Sequence, residues 1–505
     1  MLIDALARRL AKRRLRALVE HARSPAEVQE RLLMRLVQQA RATRFGREHG
    51  FAAIRNADDY RAAVPLREYA DFAPYWQRAR DGELDVTWRG DVLDWALSSG
   101  TTAGEKFLPV SADTIRTNKR GGFDALVPFL AVDRRQLFSG KLLFLGGSTA
   151  LRREGRLRVG DNTGIMQREI PACVRRVHMP SRDVASMGSW EAKIEAAARE
   201  CLDADLRMLS GVPSWILIFC ERVLELARAR RADASLRDVW PRLACFVHGG
   251  VCFEPYRARF DRLLGSSVTT IDTFSASEGG MLGVQDRPGE EGMLPLVDLG
   301  THFEFVPVGE ARDAKPRRIG LDRVETGVDY ALVLTTNSGI WSYLVGDIVR
   351  FVTRDPLRFV FAGRMAHTLN AFGEHVSSGE LDRAAAHAAQ VVGAELVEFS
   401  VATRYPNEGD AMGQHVWYCE FHGAAPRVED FAAALDARLC SGNEDYATHR
   451  SYGLHMPAVR IVASGGFESW MARRGKLGGQ NKVPRVLSSE FEAELQAFAT
   501  GLLLA

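Results

Sequence analysis

A layered α/β architecture in more than one domain is what this sequence predicts, on three observations. The chain has 505 residues, too many for a single hydrophobic core. From about residue 92 onward, short apolar runs alternate with amphipathic helical stretches, as they do where helices cover a sheet. Between residues 301 and 361 that alternation gives way to closely spaced strands, which predicts a small antiparallel sheet or β-barrel-like subdomain closing a large N-terminal domain.

The first element is helical. Leu2, Ile3, Leu6, Leu10, Leu15, Leu18 and Val19 alternate with Arg8, Arg9, Lys12, Arg13, Arg14 and Arg16, the pattern of a basic amphipathic helix. It lacks the uninterrupted apolar core of a signal peptide. Docking on the protein body is the expectation, with contact to a membrane surface as the alternative. Helical periodicity continues over 26–38. Runs at 141–145 and 243–247 predict buried strands, and 190–202 and 214–229 predict helices. Strands are expected at 303–307, 330–335, 348–352 and 359–361, with turn signals at Glu325-Thr-Gly327 and Asp355-Pro356. A fresh α/β set begins near residue 366: helix 380–392, strands 396–403 and 415–421, helix 428–439, strand 459–462 and a final helix from Ser489. A boundary near 364–370 therefore gives a large domain, 1–365, and a small one, 366–505.

Bulk properties narrow the function. Apolar residues at 46% and charged residues at 26% describe a globular protein, and a net charge of +2 supplies no global basic field for nucleic acid. No apolar run approaches bilayer length; Trp215-Ile-Leu-Ile-Phe-Cys220 is typical, so no integral membrane segment is expected. Seven scattered cysteines without a CxxC pair read as reduced thiols in a cytoplasmic protein. His49, His178, His248 and His302 have no metal-ligand spacing and are assigned to structure.

Four segments carry chemistry. Ser98-Ser-Gly-Thr-Thr-Ala-Gly-Glu-Lys106 follows an expected strand at 92–97, and its glycines and hydroxyls could turn backbone N–H groups onto one anion, with Lys106 adding charge. It lacks the Gly-Lys-Ser/Thr ending of a Walker loop, and ordinary turns share its composition. Thr273-Phe-Ser-Ala-Ser-Glu-Gly-Gly280 sets one carboxylate, Glu278, in a small-residue turn after an expected strand at 268–271, as a hard cation on nucleotide phosphates requires; an exposed turn glutamate is the plainer reading. Tyr343-Leu-Val-Gly-Asp347 sets an aspartate at a glycine turn, fit to accept two ribose hydroxyls or simply to cap a turn. Gly475-Lys-Leu-Gly-Gly-Gln-Asn-Lys-Val-Pro-Arg485 is a glycine-rich basic loop, either solvated or able to deliver a lysine to a phosphate.

Together these segments resemble the acyl-acid amido synthetases of the auxin-responsive "Gretchen Hagen" family, a branch of the adenylate-forming superfamily. The likeness spans nearly the whole chain. It includes Thr43-Arg-Phe-Gly-Arg-Glu-His-Gly-Phe51, Val64-Pro-Leu-Arg-Glu-Tyr69, Gly211-Val-Pro-Ser-Trp215, Gly249-Gly250, Phe361-Ala-Gly-Arg364, Phe372-Gly-Glu374 and Lys482-Val-Pro-Arg485. The compact length and the Phe-Gly-Glu stretch are more like bacterial than plant members. The resemblance implies the adenylate-forming fold with a small, mobile C-terminal domain. It also implies ATP and Mg²⁺ as cofactors, and a carboxylic acid and an amino acid or amine as substrates. Ser98, Ser99, Gly100, Thr101 and Thr102 would hold ATP phosphates with Lys106; Ser275, Ala276 and Ser277 would line the adenine and α-phosphate side; Glu278 would ligate Mg²⁺. Asp347 would bind ribose, with Tyr343, Arg364 and His375 nearby, and Lys482 would neutralise charge on the α-phosphate.

The sequence departs from the family pattern in three places. The first loop is a residue shorter between Gly104 and Lys106, Trp341-Ser-Tyr-Leu344 lacks two usual basic positions (Ser342 and Leu344), and His375 replaces a lysine. Two alternatives remain open at this level: an adenylate-forming thioester ligase using coenzyme A or a carrier protein, and a catalytically silent binding protein on the same fold.

Overall fold

The computed structural model describes residues 2–98, 106–250, 253–311, 313, 315–365, 368–369, 372–374, 376–406, 410–474 and 483–500. Its contacts divide the chain into two compact units. The larger holds Phe260–Met365 and most of what precedes it; the smaller holds Glu254–Arg259 and the residues from 366 onward.

The N-terminal helix, Leu2–Arg23, docks as expected, through Ala7, Ala11, Leu18 and Ala22, which pack into one cluster with Phe129, Leu130 and Leu142. Polar anchors fix its rotation. Arg14 reaches Asp124 at 2.6 Å and Asp298 at 2.7 Å, and Asp4 accepts from the Phe138 backbone N–H and the Ser139 hydroxyl, both at 3.0 Å.

The core of the larger unit is a seven-stranded sheet. Five parallel strands lie in the spatial order Thr269–Ala276, Cys245–Gly249, Leu206–Gly211, Lys141–Leu145, His178–Met179; Gly280–Val284 and Leu294–Pro295 add antiparallel beside the first. Residues 245–248 are all buried, as in a parallel strand covered on both faces. The chain steps from Lys141–Leu145 outward to His178–Met179, then returns past its starting strand to Leu206–Gly211 and continues in that direction. The order therefore reverses between Lys141–Leu145 and Leu206–Gly211. In open α/β sheets, the crevice outside the carboxyl ends at such a reversal is where ligands bind.

The expected antiparallel subdomain forms from Thr301–Pro307, Asp329–Thr336, Ile340–Arg354 and Leu357–Arg364, in that order. Phe303, Phe305, Leu332, Leu334, Val349 and Phe351 share one core with Phe274 and Leu282, which fastens it to the antiparallel edge of the large sheet. A further sheet has the order Lys106–Val110, Asp94–Ser98, Leu157–Asp161, Arg152–Glu154. In the smaller unit Glu395–Arg404 and Gln414–His422 run antiparallel and Ala458–Val462 joins parallel to the latter. Helices Glu444–Tyr452 and Gly466–Arg473 were not expected; the second buries Phe467 and Trp470 against that sheet.

Two strand expectations need correction. The strand ending at 271 continues to Ala276, so Ser275 and Ala276 are strand residues and the turn shrinks to 277–279. Asp347 does not stand at a turn before a strand: Ile340–Arg354 is a single strand running through it. Pairing with Asp329–Thr336 jumps from Ala331↔Ile348 to Val333↔Leu344, so residues 345–347 form a bulge, with Gly346 at φ +93°. Bulge and turn look alike in sequence here because either can place a glycine at positive φ, as Gly346 is.

Candidate functional site

The adenylate-site segments map unevenly onto the described residues. Ser99, Gly100, Thr101 and Thr102, His375 and Lys482 lie outside them, as do the side chains of Ser98 and Arg364. The phosphate-loop segment is bracketed by Asp94–Ser98 and Lys106–Val110, antiparallel partners with Ser98 opposite Lys106, so residues 99–105 join two paired strand ends. The Lys106 ammonium stands 5.5 Å from the Tyr69 ring centroid, while the Tyr69 hydroxyl accepts the Phe107 N–H at 3.0 Å. Tyr69, the last residue of the Val64–Tyr69 segment, thus holds the first residues of the strand Lys106–Val110.

Glu278 stands in the tight connection between Thr269–Ala276 and Gly280–Val284, half-buried beside half-buried Ser277 and exposed Ser275. Thr301 donates to the Gly279 carbonyl at 3.1 Å, tying the turn to the antiparallel subdomain. Gly280 has φ +73°, and a Cβ there would collide with the Asn118 side chain, so this corner accepts only glycine. Tyr343 is buried against Phe72 and Trp76, and its hydroxyl pKa is pushed up by burial first and then by the charge of Glu278. Glu278 and Tyr343, distant in sequence, therefore belong to one electrostatic neighbourhood. Asp347, 4% exposed, lies opposite Arg364 in the register of Ile340–Arg354 with Leu357–Arg364.

The donor chemistry fits a hard cation that brings phosphate oxygens with it: one half-buried carboxylate and neighbouring hydroxyls, all oxygen. Among the described residues no group of three or more His, Cys, Asp or Glu could hold a metal on its own. Burial lowers the pKa of half-buried His178 and of fully enclosed His302 to about 4, which keeps both neutral. Burial likewise raises the described thiols of Cys201, Cys220, Cys245, Cys419 and Cys440, none of which is poised as a nucleophile.

The departure at Ser342 has a specific setting. Ser342 is fully buried at φ +46°, accepts from Arg318 and donates to Glu304 at 3.2 Å; Tyr60 and Arg61 complete the network. A guanidinium from elsewhere in the chain, that of Arg318, thus stands against Ser342 inside a closed polar cluster.

Two features at the carboxyl ends of the parallel strands carry no sequence signal. His248 is buried, stacks on Phe253 at 3.8 Å and has Nδ1 3.4 Å from Asp272. At the reversal point Lys193, 3% exposed, donates to the Gly146 carbonyl at 3.3 Å beside Trp190, itself 4.5 Å from Trp215. Burial lowers the Lys193 pKa to about 8, against a smaller opposing effect of Asp161. Sequence periodicity makes Lys193 one more helical surface lysine; only the strand order reveals where that helix position falls.

Residues 14–179 match the GH3 family N-terminal domain, 294–364 the GH3 family central domain and 379–490 the GH3 family C-terminal domain. The chain belongs to the GH3 family. Among relatives of this GH3 chain, the probable indole-3-acetic acid-amido synthetase GH3.12 of Oryza sativa subsp. japonica is 24% identical, with 92% of each chain covered. The indole-3-acetic acid-amido synthetase GH3.8 of Oryza sativa subsp. indica is 26% identical, covering 94% of this chain and 90% of its own. The solved AtGH3.15 acyl acid amido synthetase in complex with 2,4-DB superposes with a TM-score of 0.60 at 17% identity, over 96% of each chain. A 2-hydroxyisobutyryl-CoA ligase with 2-HIB-AMP and CoA gives 0.55 at 14% identity, over 98% of this chain and 93% of its own. The fold is that of the adenylate-forming ligases: mixed α/β, with a large N-terminal and a small C-terminal part.

Proposed function

We propose that this GH3 chain is an ATP-dependent ligase that activates a carboxylic acid as its acyl-adenylate and passes the acyl group to an amino acid or amine, releasing AMP and pyrophosphate. The observation that carries this reading is the match, in order, of all three GH3 family domains along the chain, with the site segments falling within or between them. Residues 98–102 with Lys106 cradle the triphosphate. Ser275, Ala276 and Ser277 border the adenine and α-phosphate, and Asp347, with Tyr343, Arg364 and His375 close by, holds the ribose side. Mg²⁺, carried on the phosphates and ligated by Glu278, supplies charge neutralisation when bound. Lys482, delivered by movement of the C-terminal domain of residues 366–505, stabilises charge on the α-phosphate as the substrate carboxylate attacks.

The acid or its acceptor sits, in this reading, at the sheet reversal, where Lys193 pairs with a substrate anion. A buried ammonium costs stability, and a group kept at such a cost beside a ligand crevice is a functional candidate. Alignment with the GH3.12 protein runs over 575 residues, more than the 505 of this chain, so that relative carries insertions; the compact build suits a bacterial-type member. Of the seven cysteines, the five among the described residues are free thiols, which suits a cytoplasmic setting.

The test is product analysis. The purified chain is supplied with ATP, Mg²⁺, a panel of aryl and alkyl acids, and either amino acids or coenzyme A, and products are read by mass spectrometry. Amides are expected. Thioesters formed to the exclusion of amides would assign the chain to the coenzyme A chemistry named in its 2-hydroxyisobutyryl-CoA ligase neighbour, and no acyl product of either kind would favour a silent binding protein.

A further inference from the structure

The N-terminal helix Leu2–Arg23 presents an outward face that docking leaves unused. Ile3, Leu6 and Leu10 remain 68%, 60% and 51% exposed, although the helix already buries a separate apolar stripe against the body. Their spacing aligns them along the helix axis, within a sector of about 60°. Arg9, Lys12, Arg13 and Arg16 are exposed beside them, in an adjoining sector of about 100°, and make no ion pair with any described residue. The combined face is centred opposite Ala7, Ala11, Leu18 and Ala22. The helix holds seven basic and two acidic side chains, a net of +5 against +2 for the whole chain, so the remainder of the protein carries −3. Basic charge is concentrated where unused apolar surface is.

We propose that this face lies on an anionic lipid bilayer surface. Ile3, Leu6 and Leu10 enter the headgroup boundary while the four basic side chains extend to lipid phosphates and carboxylates. Three apolar side chains form a weak anchor, so the contact is reversible and depends on the charge of the headgroups. A second copy of the chain is a poorer occupant, because a two-fold contact through this face sets four unpaired cations against four more.

Vesicle sedimentation of the full chain tests the assignment. Vesicles with about 30% phosphatidylglycerol in phosphatidylcholine should bind it, phosphatidylcholine alone should not, and raising salt from about 0.1 to about 0.5 M should release it. Leu6→Ser with Leu10→Ser, and separately Arg9→Gln with Arg13→Gln and Arg16→Gln, should each lower the partition coefficient about tenfold or more at an unchanged melting temperature. A folded parent that ignores anionic vesicles, or binds neutral ones equally, overturns the proposal. A concentration-dependent dimer that the leucine substitutions abolish, without vesicle binding, overturns it too and gives the face to a second copy.

Discussion

Asp347 is 4% exposed and lies within a strand bulge, so a ribose held by it would meet an acceptor already withdrawn from water. Asp347→Ala should weaken ATP binding by about 3–5 kcal/mol, the loss of a pair of charge-assisted hydrogen bonds. Calorimetry reads this directly, and an affinity within about twofold of the parent removes Asp347 from the site. Lys193 makes a prediction of opposite sign. Its pKa of about 8 in the fold lies below the ordinary 10.5, so the unfolded chain binds more protons between those values and stability rises with pH across that window. Lys193→Met should therefore be more stable than the parent by about 3 kcal/mol at pH 7, with the gap closing towards pH 10. Denaturant unfolding at both pH values decides it: a variant less stable at pH 7 means the ammonium is well paired in the fold.

At the scale of elements, the N-terminal helix hangs on its interior ion pair as much as on its alanines. Asp124 has a fully buried side chain, and Arg14 is its partner. Arg14→Ala leaves that carboxylate uncompensated and should cost about 3–5 kcal/mol, read as a lowered denaturation midpoint; a loss under about 1 kcal/mol would mean the helix is held by its apolar stripe alone. The helix itself was legible because its two faces differ in every turn. Helix 190–202 and, two residues further along than expected at 243–247, the strand Cys245–Gly249 were legible for the same kind of reason, an unbroken apolar or amphipathic pattern. The continuation of Thr269 to Ala276 and the unbroken run of Ile340–Arg354 were not, because Ser-Ala-Ser and Val-Gly-Asp carry turn chemistry whether or not a neighbouring strand pairs with them. Pairing is a tertiary fact that local composition does not encode. Glu278 and Asp347 could be singled out as carboxylates near small residues, whereas Lys193 and the His248–Asp272 pair depend on strand order and had no local mark.

Over the whole molecule, catalysis in the proposed reading needs a cation at the α-phosphate. Lys482 lies outside the described residues, but the segment just beyond it is anchored. Val401 exchanges backbone hydrogen bonds with Arg485 and Leu487 at 2.8 Å, and the Arg485 guanidinium lies 4.2 Å from the Phe399 ring centroid. Lys482→Ala should slow single-turnover adenylate formation by about 10²–10³ with little change in ATP affinity, as for a contact made chiefly in the transition state. An unchanged chemical rate would reduce Lys482 to a surface charge.

Acyl-adenylate formation is measured most directly by acid-dependent ATP–pyrophosphate exchange with the full chain. Reversible formation of an acyl-adenylate predicts that labelled pyrophosphate enters ATP when Mg²⁺ and a suitable carboxylic acid are both present, without any amine or thiol acceptor. Exchange that is absent across a broad panel of acids, from a folded protein that binds ATP, would contradict it.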